Sequence, residues 1–405
     1  MVVCLCLYCR YIPICREPLN GYIRTHKLDT SGSTEVQTLV LHGATGKNTM
    51  RLPAALLLIP TALAAAFHST TASTPTTTTA SIAAPPPPLP ANVSVVAGGF
   101  SWVENICFDS SANGSMYASE RLRGQLLAIT SSAAAGGNGT GNGTNAYTST
   151  VLLEGMWKLL LGCVVDAARF PGTVFVVGVL LNGSHVLAAV PVQTPTKWEV
   201  VAFTAHTGNG IRIHEATGRV YTSTEGTFLP GSGAVYEIDP SVRPWGGAAS
   251  VLVDRLAPAD GLWIDQARAL LYVGLLPSSN VWTYNLTARR ALGTFGGLKH
   301  SGCKLLLCAM DDFTLDPDNT SVVIGAAWTD DSVRSFPTFS PTAGFGQRTL
   351  LKGVQRPTSV RWGSGVGGFA ASSLFISEGG SLGDKKETKY RILEWEHARE
   401  AIRSN

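Results

Sequence analysis

The sequence is poor in charge and has no apolar segment long enough for a typical membrane span. Of its 405 residues, only 15% are charged, below the roughly 25% of an average soluble domain. The formal net charge is only +3 and no basic stripe is present, so we expect no nucleic-acid partner. The apolar run that follows Met50 covers about sixteen residues, short of the roughly twenty that a membrane-spanning helix needs.

An internal repeat organises the rest of the chain. Each copy has a polar residue, an alternating apolar strand, a turn rich in Gly, Asn or Asp, and a second strand. Clear copies begin ENICFD, NGIRIH, DGLWID and DDFTLD, and two weaker copies begin LGCVVD and TSVRWG. The six copies start at Glu104, Leu161, Asn209, Asp260, Asp311 and Thr358. A period near fifty residues with paired short strands is typical of a β-propeller with one repeat per blade.

The repeats predict an all-β fold with four antiparallel strands in each of six blades. Further alternating segments such as NVWTYN and AVYEID supply the outer strands, and Gly, Pro and Asn clusters separate them. The sixth repeat lacks one strand, so we expect Val93–Gly98 to pair with it. This pairing closes the ring and leaves no free sheet edge. The predicted propeller covers residues 92–396, followed by a tail at 397–405.

The residues before the propeller have a different composition. Residues 50–68 resemble a secretory signal, with one arginine, an apolar stretch and small residues after it, and we expect a cleaved signal peptide or a signal anchor. Whether the extension at 1–49 is translated stays open. Residues 69–91 are rich in Ser, Thr and Pro and predict an extended linker. The protein is therefore expected outside the cell or in the secretory lumen, membrane-bound only if the signal is kept as an anchor.

N-glycosylation sequons support secretion. Seven of the fourteen asparagines lie in N-x-Ser/Thr sequences, where chance would give roughly two, and nearly all fall in predicted turns. They are Asn92, Asn113, Asn138, Asn142, Asn182, Asn285 and Asn319.

The cysteines leave their pairing open. The four beyond residue 90 contain no CxxC spacing, which argues against a zinc site of their own. Cys303 and Cys308 are close in sequence and could pair in an oxidising compartment. Cys107 and Cys163 occupy the same position in adjacent inner strands, where buried thiols and a disulfide fit equally well.

The first residue of each repeat predicts a polar ring in the central channel. Four of the six positions carry a carboxylate or amide oxygen. Three of these four residues are charged, namely Glu104, Asp260 and Asp311. If these groups meet at about 5 Å, each carboxylate pair repels by roughly 3 kcal/mol at an effective dielectric of about 20. No Lys or Arg stands in the ring, so a hard cation is expected there. Irregular oxygen sites suit Ca²⁺ best, with Mg²⁺, Mn²⁺ and Zn²⁺ as alternatives. The other possibility is that the channel is filled with water and the polar groups are too far apart to repel each other.

These residues carry a family resemblance. Glu104, the Asn-Gly pair at Asn209 and the Asp-Gly pair at Asp260, with the phrases PADGLWID, MDDFTLD and RPTSVRWG, resemble the gluconolactonase, regucalcin and luciferin-regenerating-enzyme-like superfamily of six-bladed propellers over about residues 92–395. The resemblance implies Glu104, Asn209 and Asp260 as metal ligands. Asp311 is similar to a further oxygen ligand of paraoxonase-like propellers.

The resemblance implies lactone or ester hydrolysis, with Asp260 as the base that takes a proton from water. One segment departs from it: the chain reads KLLLG at 158–162, where gluconolactonase-type members have Arg-x-Asn-Asp-Gly to hold a sugar. We therefore expect a more apolar ester or lactone, with Lys158, Trp157 and Thr358 as substrate-binding candidates.

A second class of function stays open. A non-catalytic extracellular propeller could use the cation for stability alone, and a condensation of the strictosidine synthase type is a weaker third option. Glu225 and Glu378 could reach the channel rim, although solvated turns are the commoner setting for such residues. We expect a monomer that acts on a small molecule.

Overall fold

The computed structural model describes two separate units of the chain, residues 1–83 and 84–405. In the first unit, three antiparallel strands form a sheet in the order β1-β2-β3, namely β1 (Asn20–Ile23), β2 (Thr38–Gly43) and β3 (Gly46–Arg51). The described residues are 20–23, 38–43, 46–51, 89–111, 114–131, 147–298, 310–339, 346–379 and 389–404. The predicted signal segment beyond Arg51, the linker up to residue 88, three sequons (Asn113, Asn138, Asn142) and the Cys303–Cys308 pair lie outside them.

The second unit is a six-bladed propeller, as predicted. Blade 1 contains β5 (Val103–Phe108), β6 (Met116–Glu120), β7 (Gln125–Ser131) and β8 (Tyr147–Leu153). Blade 2 contains β9 (Trp157–Val165), β10 (Thr173–Leu180), β11 (His185–Pro191) and β12 (Glu199–Phe203), and β16 (Gly247–Ala248) adds a short parallel fifth strand. Blade 3 contains β13 (Gly208–His214), β14 (Arg219–Thr224), β15 (Gly233–Ile238) and β17 (Ser250–Leu256).

Three more blades complete the ring. Blade 4 contains β18 (Ala259–Asp265), β19 (Leu270–Leu275), β20 (Asn280–Asn285) and β21 (Arg290–Phe295). Blade 5 contains β22 (Met310–Leu315), β23 (Val322–Ala327), β24 (Ser332–Pro337) and β25 (Arg348–Lys352). Blade 6 contains β26 (Pro357–Trp362), β27 (Leu374–Glu378) and β28 (Tyr390–Trp395), and β4 (Val93–Phe100) is its outer strand. The predicted closure by residues 93–98 is confirmed.

The middle strands of the blades are buried on both faces because each sheet packs between two neighbours. β14 and β19 are almost wholly buried, whereas most of the outer strand β21 is accessible. The hydrophobic core accordingly lies between blades. Burial on both faces fits the apolar sequence of β19, LLYVGL, whereas the accessible outer strand β21 has the mixed sequence RALGTF.

A disulfide joins two blades near the channel. Cys107 in β5 and Cys163 in β9 are bonded, with their Cα atoms 5.9 Å apart. The sequence left a disulfide and two buried thiols equally open at this place, and the structure has the disulfide.

A short helix follows blade 6 where the sequence predicted a tail. Helix α1 (Ala398–Ser404) packs Ala401 and Ile402 against the core between blades 5 and 6. Two single-turn 3₁₀ helices occur at Pro195–Lys197 and Trp328–Asp330. None of the helices in the described ranges is long and apolar enough to cross a membrane.

Every inner strand has a β-bulge at the start of the repeat. In blade 4, Ala259 pairs with Leu275 and Leu262 with Val273, so Asp260 and Gly261 together face one residue of β19. Equivalent register shifts occur in the other five blades at Glu104, Leu161, Asn209, Asp311 and Thr358. A bulge breaks the two-residue alternation and re-aims the side chain. The six bulges therefore lie at the same level around the channel.

Glycine after the bulge allows adjacent inner strands to approach closely. A Cβ atom at Gly210 would stand 2.7 Å from the carbonyl oxygen of Asp260, and Cβ atoms at Gly162 and Gly261 would be closer still to the carbonyls of Asn209 and Asp311. Such separations lie below the 3.0 Å that real Cβ contacts essentially never breach. In the Asn-Gly and Asp-Gly pairs, the first residue thus places its side chain in the channel, and the glycine allows close contact with the next blade.

Candidate functional site

The bulges bring polar residues from blades 1, 3, 4 and 5 to one level of the central channel. Glu104, Asn209, Asp260 and Asp311 are all at least nine-tenths buried. Neighbouring blades hold the backbone of this level in place: the Ser223 hydroxyl donates a hydrogen bond to the carbonyl of Asp260. We call Glu104, Asn209, Asp260 and Asp311 the channel ring.

An arginine lies beside the channel ring. Arg121 follows β6, and its Nη1 donates to Oε1 of Glu104 over 2.9 Å. Its guanidinium carbon stands 4.7 Å from the centroid of the Trp102 ring, which adds a cation–π contact. The sequence prediction considered only the six repeat positions, where no Lys or Arg stands. Arg121, which comes directly after the second strand of blade 1, supplies a positive charge that the repeat did not indicate.

A further carboxylate joins the ring from the turn that follows the second strand of blade 3. Glu225 Oε1 accepts a hydrogen bond of 3.0 Å from Nδ2 of Asn209. Part of the residue is accessible, yet its carboxylate is inside the channel, and burial raises its pKa. The expected solvated turn is thus wrong for Glu225. It is also wrong for Glu378, which is fully buried and paired with Arg391 over 2.9 Å.

Burial and mutual repulsion raise the pKa values of two aspartates of the channel ring. Burial raises the pKa of Asp260 well above its usual range, and repulsion by Asp311, Glu225 and Glu104 raises it further. The pKa of Asp311 is also raised well above its usual range, first by burial and then by Glu104. Burial lowers the pKa of Arg121, but Glu104, Glu225 and Asp311 outweigh this effect and raise it overall.

The charge count makes a bound cation favourable. Fully ionised, four carboxylates (Glu104, Glu225, Asp260 and Asp311) and the Arg121 guanidinium sum to −3. Within the described residues, two buried oxygens, Oε2 of Glu104 and Oδ1 of Asp260, have no hydrogen-bond partner. Unpaired buried carboxylate oxygens are costly, and hard oxygen donors of this kind suit Ca²⁺.

The side chains of the channel ring do not form a complete set of metal ligands in this arrangement. No three His, Cys, Asp or Glu side chains among the described residues stand in an arrangement that would hold a metal ion. Two of the side chains have protein partners, since Arg121 donates to Glu104 and Asn209 donates to Glu225. A cation here would be held by the free oxygens of Glu104 and Asp260 together with the Asn209 amide oxygen and Asp311.

A second polar layer lies directly below the ring. Asp312, next to Asp311, accepts hydrogen bonds from Asn105 at 2.7 Å and Ser359 at 3.2 Å, and it pairs with the guanidinium groups of Arg212 and Arg361. Burial raises the pKa of Asp312 to about 6, against the opposing effect of Arg212. Because its oxygens are occupied by protein donors, Asp312 is a support for the ring rather than a free ligand.

The predicted substrate-binding residues are less accessible than the prediction requires, except for Lys158. Thr358 is fully buried, and its hydroxyl donates to the carbonyl of Val103 over 2.5 Å. Trp157 is buried against Trp198, with ring centroids 5.8 Å apart. Lys158 is exposed. A substrate role for these residues stays a prediction, and the contacts of Thr358 and Trp157 are those of packing residues.

The four sequons within the described residues lie at or near the surface. Asn92, Asn182 and Asn319 are exposed in turns, and Asn285 is half-buried at the end of β20. The side chains of Asn92, Asn182 and Asn319 are therefore accessible to solvent.

Sequence comparison and structure comparison differ in what they detect. No protein-family model matches the sequence, and no curated protein matches it either. Solved structures do match. Luciferin-regenerating enzyme aligns with a TM-score of 0.55 at 14% identity, covering 75% of this chain and 94% of that protein.

Two further structures have the same architecture. Regucalcin from Agrobacterium tumefaciens, a calcium-binding protein, aligns with a TM-score of 0.53 at 15% identity and covers 74% of this chain and 92% of its own. The gluconolactonase XC5397 from Xanthomonas campestris aligns with a TM-score of 0.50 at 12% identity, covering 75% and 88%. At such identities the likeness concerns the fold, and the chain has the six-bladed propeller fold that these three proteins share.

Proposed function

We propose that the protein is a calcium-dependent hydrolase of esters or lactones whose active site is the channel ring. The observation that carries this proposal is the buried group of four carboxylates beside one guanidinium, with free oxygens on Glu104 and Asp260. The structural neighbours include a gluconolactonase and a calcium-binding regucalcin, which supports the same class. Manganese, magnesium and zinc are the alternative ions.

Glu104, Asn209, Asp260 and Asp311 would hold the cation. When bound, calcium would polarise the substrate carbonyl. Asp260 takes the proton of the attacking water as general base; its raised pKa in the metal-free ring falls when a cation supplies opposite charge nearby. Glu225 keeps Asn209 oriented through the 3.0 Å hydrogen bond, and Arg121 offers a positive group where negative charge develops on the carbonyl oxygen.

The substrate we propose is more apolar than a sugar lactone. Leu161 lies at the bulge of blade 2, the position equivalent to those of the channel ring, and is buried; the apolar residues Leu159 and Leu160 precede it. On the side of blade 2, these side chains offer no hydrogen-bond partner to the hydroxyls of a sugar, and such missing partners weaken binding strongly. An aryl ester or an aromatic lactone meets this constraint.

We further propose that the protein is secreted, glycosylated and monomeric. The exposed sequons at Asn92, Asn182 and Asn319 and the disulfide between Cys107 and Cys163 support an oxidising compartment. The closed ring of blades leaves no inner sheet edge for a partner.

Turnover of phenyl acetate and dihydrocoumarin, with calcium and with EDTA, tests the hydrolase. We expect activity with calcium, loss of activity in EDTA, and a decrease in kcat of at least about 100-fold in Asp260→Asn. Asp254→Asn, which removes an exposed carboxylate from β17, is the matched control and should keep full activity. If calcium raises the melting temperature but no ester or lactone is hydrolysed, the ion has a structural role and the protein is a binding propeller.

A further inference from the structure

A cavity lies at the end of the channel opposite the channel ring. The inner strands begin at the level of the channel ring and end at this cavity, to which all six blades contribute residues. Its volume is about 480 Å³, within the size range of small-molecule sites. We call it the distal cavity.

The walls of the distal cavity are mainly apolar. Phe108, Val165, Trp263 and Trp362 line it and are each partly accessible, and the Cys107–Cys163 disulfide forms part of the wall. Partly accessible aromatic side chains that face a concave space are typical of a site for an apolar ligand.

The floor of the distal cavity has an unbalanced positive charge. Arg212 and Arg361 both line the cavity, and both pair with the single carboxylate of Asp312. Two guanidinium groups and one carboxylate leave a net charge of +1. Arg212 and Arg361 are more than nine-tenths buried, so water screens this charge poorly.

The positive charge of the cluster lies beside an unpaired nitrogen and an aromatic ring. Nε of Arg212 has no hydrogen-bond partner within the described part of the chain. Both guanidinium groups lie against Trp263, with distances of 5.0 and 5.4 Å to the ring centroid, so the charge sits beside an aromatic wall.

Three acidic residues lie near the Arg212–Arg361–Asp312 cluster at this end of the channel, and two of them are paired with arginines. Asp265 pairs with Arg268 at 2.5 Å and Asp166 with Arg169 at 3.1 Å. Asp316, at the outer end of β22, accepts the amide hydrogen of Asp318. Asp265 and Asp166 therefore have arginine partners of their own. Asp316 lines the cavity as well, so the charge of +1 belongs to the Arg212–Arg361–Asp312 cluster and not to the cavity as a whole.

We propose that the distal cavity is a binding site for a small aromatic monoanion, such as an arylcarboxylate. The aromatic part would contact Phe108, Trp263 and Trp362, and the anionic group would complete the charge of the Arg212–Arg361–Asp312 cluster. The site is separate from the channel ring and does not depend on the hydrolase proposal.

The probe for this site is 8-anilinonaphthalene-1-sulfonate, an aromatic monoanion whose fluorescence increases in apolar surroundings. Titration should give one saturable site. Phenylacetate should displace the probe at concentrations at least tenfold lower than the neutral 2-phenylethanol does. Asp260→Asn should bind the probe like the wild type, because Asp260 belongs to the other end of the channel.

Paired variants at the cavity wall test the charge requirement. Val165→Glu should weaken probe binding at least tenfold relative to Val165→Gln, which has nearly the same size without the charge. The pair Ala267→Glu and Ala267→Gln repeats the test at an exposed rim position. A substitution at such a position should leave folding unchanged. Non-saturable binding, equal displacement by 2-phenylethanol, equal binding by the Glu and Gln variants, or loss of binding in Asp260→Asn would each overturn the proposal.

Discussion

Arg121 donates a hydrogen bond of 2.9 Å to Glu104 and so places one permanent positive charge against the carboxylates of the channel ring. This pair reduces the charge of the metal-free ring but does not cancel it, because three further carboxylates contribute. A bound cation and Arg121 therefore repel each other while both attract Glu104.

Removal of the Arg121 charge tests this competition. We expect Arg121→Met to increase calcium affinity several-fold, because a repelling charge is lost, and to lower the melting temperature of the calcium-free protein, because Glu104 loses its partner. Isothermal titration and thermal unfolding measure the two effects. Arg123→Met is the control, since Arg123 is two-fifths exposed and lies 3.5 Å from Glu120. A fall in calcium affinity in Arg121→Met would contradict the account.

Stability should depend on pH with a sign set by the raised pKa values. Asp260, Asp311 and Glu225 have higher pKa values in the folded protein than in the unfolded chain. The folded state therefore binds more protons, and the free energy of unfolding falls as the pH rises from about 4 through the folded-state pKa values.

Melting curves in EDTA and in calcium measure this dependence. In EDTA, the melting temperature should decrease as pH rises from 5 to 8, whereas saturating calcium should remove most of the decrease. The calcium-induced increase in melting temperature thus grows with pH. A melting temperature in EDTA that stays constant or rises over this range would contradict the raised pKa values of the ring carboxylates.

Because the inner strands are in close contact, adding one methyl group between them should destabilise the protein. Gly261→Ala places a Cβ against the carbonyl oxygen of Asp311, so the strands of blades 4 and 5 must separate. We expect a loss of about 1–3 kcal/mol in the free energy of unfolding and weaker calcium binding. Gly247→Ala is the matched control because a Cβ there meets nothing within 4 Å. Equal stability of the two variants in urea unfolding would refute the close-contact account.

The disulfide between blades 1 and 2 predicts a measurable contribution to stability. Cys107 and Cys163 close a loop with a sequence separation of 56, for which the chain-entropy estimate is about 4 kcal/mol. The double variant Cys107→Ala/Cys163→Ala should unfold at clearly lower urea concentration than the wild type. The oxidised wild type should also show no thiol titre from these two residues, whereas the single variant Cys107→Ala should expose one thiol on unfolding. Unchanged urea unfolding of the double variant would contradict this estimate.

The architecture and the ring positions could be predicted from sequence because both follow from local periodicity. The repeat starts at Asn209, Asp260 and Asp311 lie at equivalent bulges, as their spacing implied. The closing strand β4 followed from the strand missing in the sixth repeat. The ligand role of these residues stays a prediction.

The partners of the ring could not be predicted in the same way. Arg121 and Glu225 follow second strands, outside the repeated position, and each reaches the channel through a turn that the periodicity does not describe. One feature of the sequence could have indicated these two residues. Arg121 and Glu225 each come directly after the strand that pairs with the bulge. The charge excess at Arg212 and Arg361 likewise depends on a pairing between blades 3, 5 and 6.

Calcium titration of the metal-free protein, wild type against Asp260→Asn, tests the channel ring as a metal site most directly. We predict one calcium per chain in the wild type, with proton release seen as a dependence of the binding heat on buffer, and no calcium binding in a folded Asp260→Asn protein. Absence of binding in the wild type, or the same affinity in Asp260→Asn, would contradict the account.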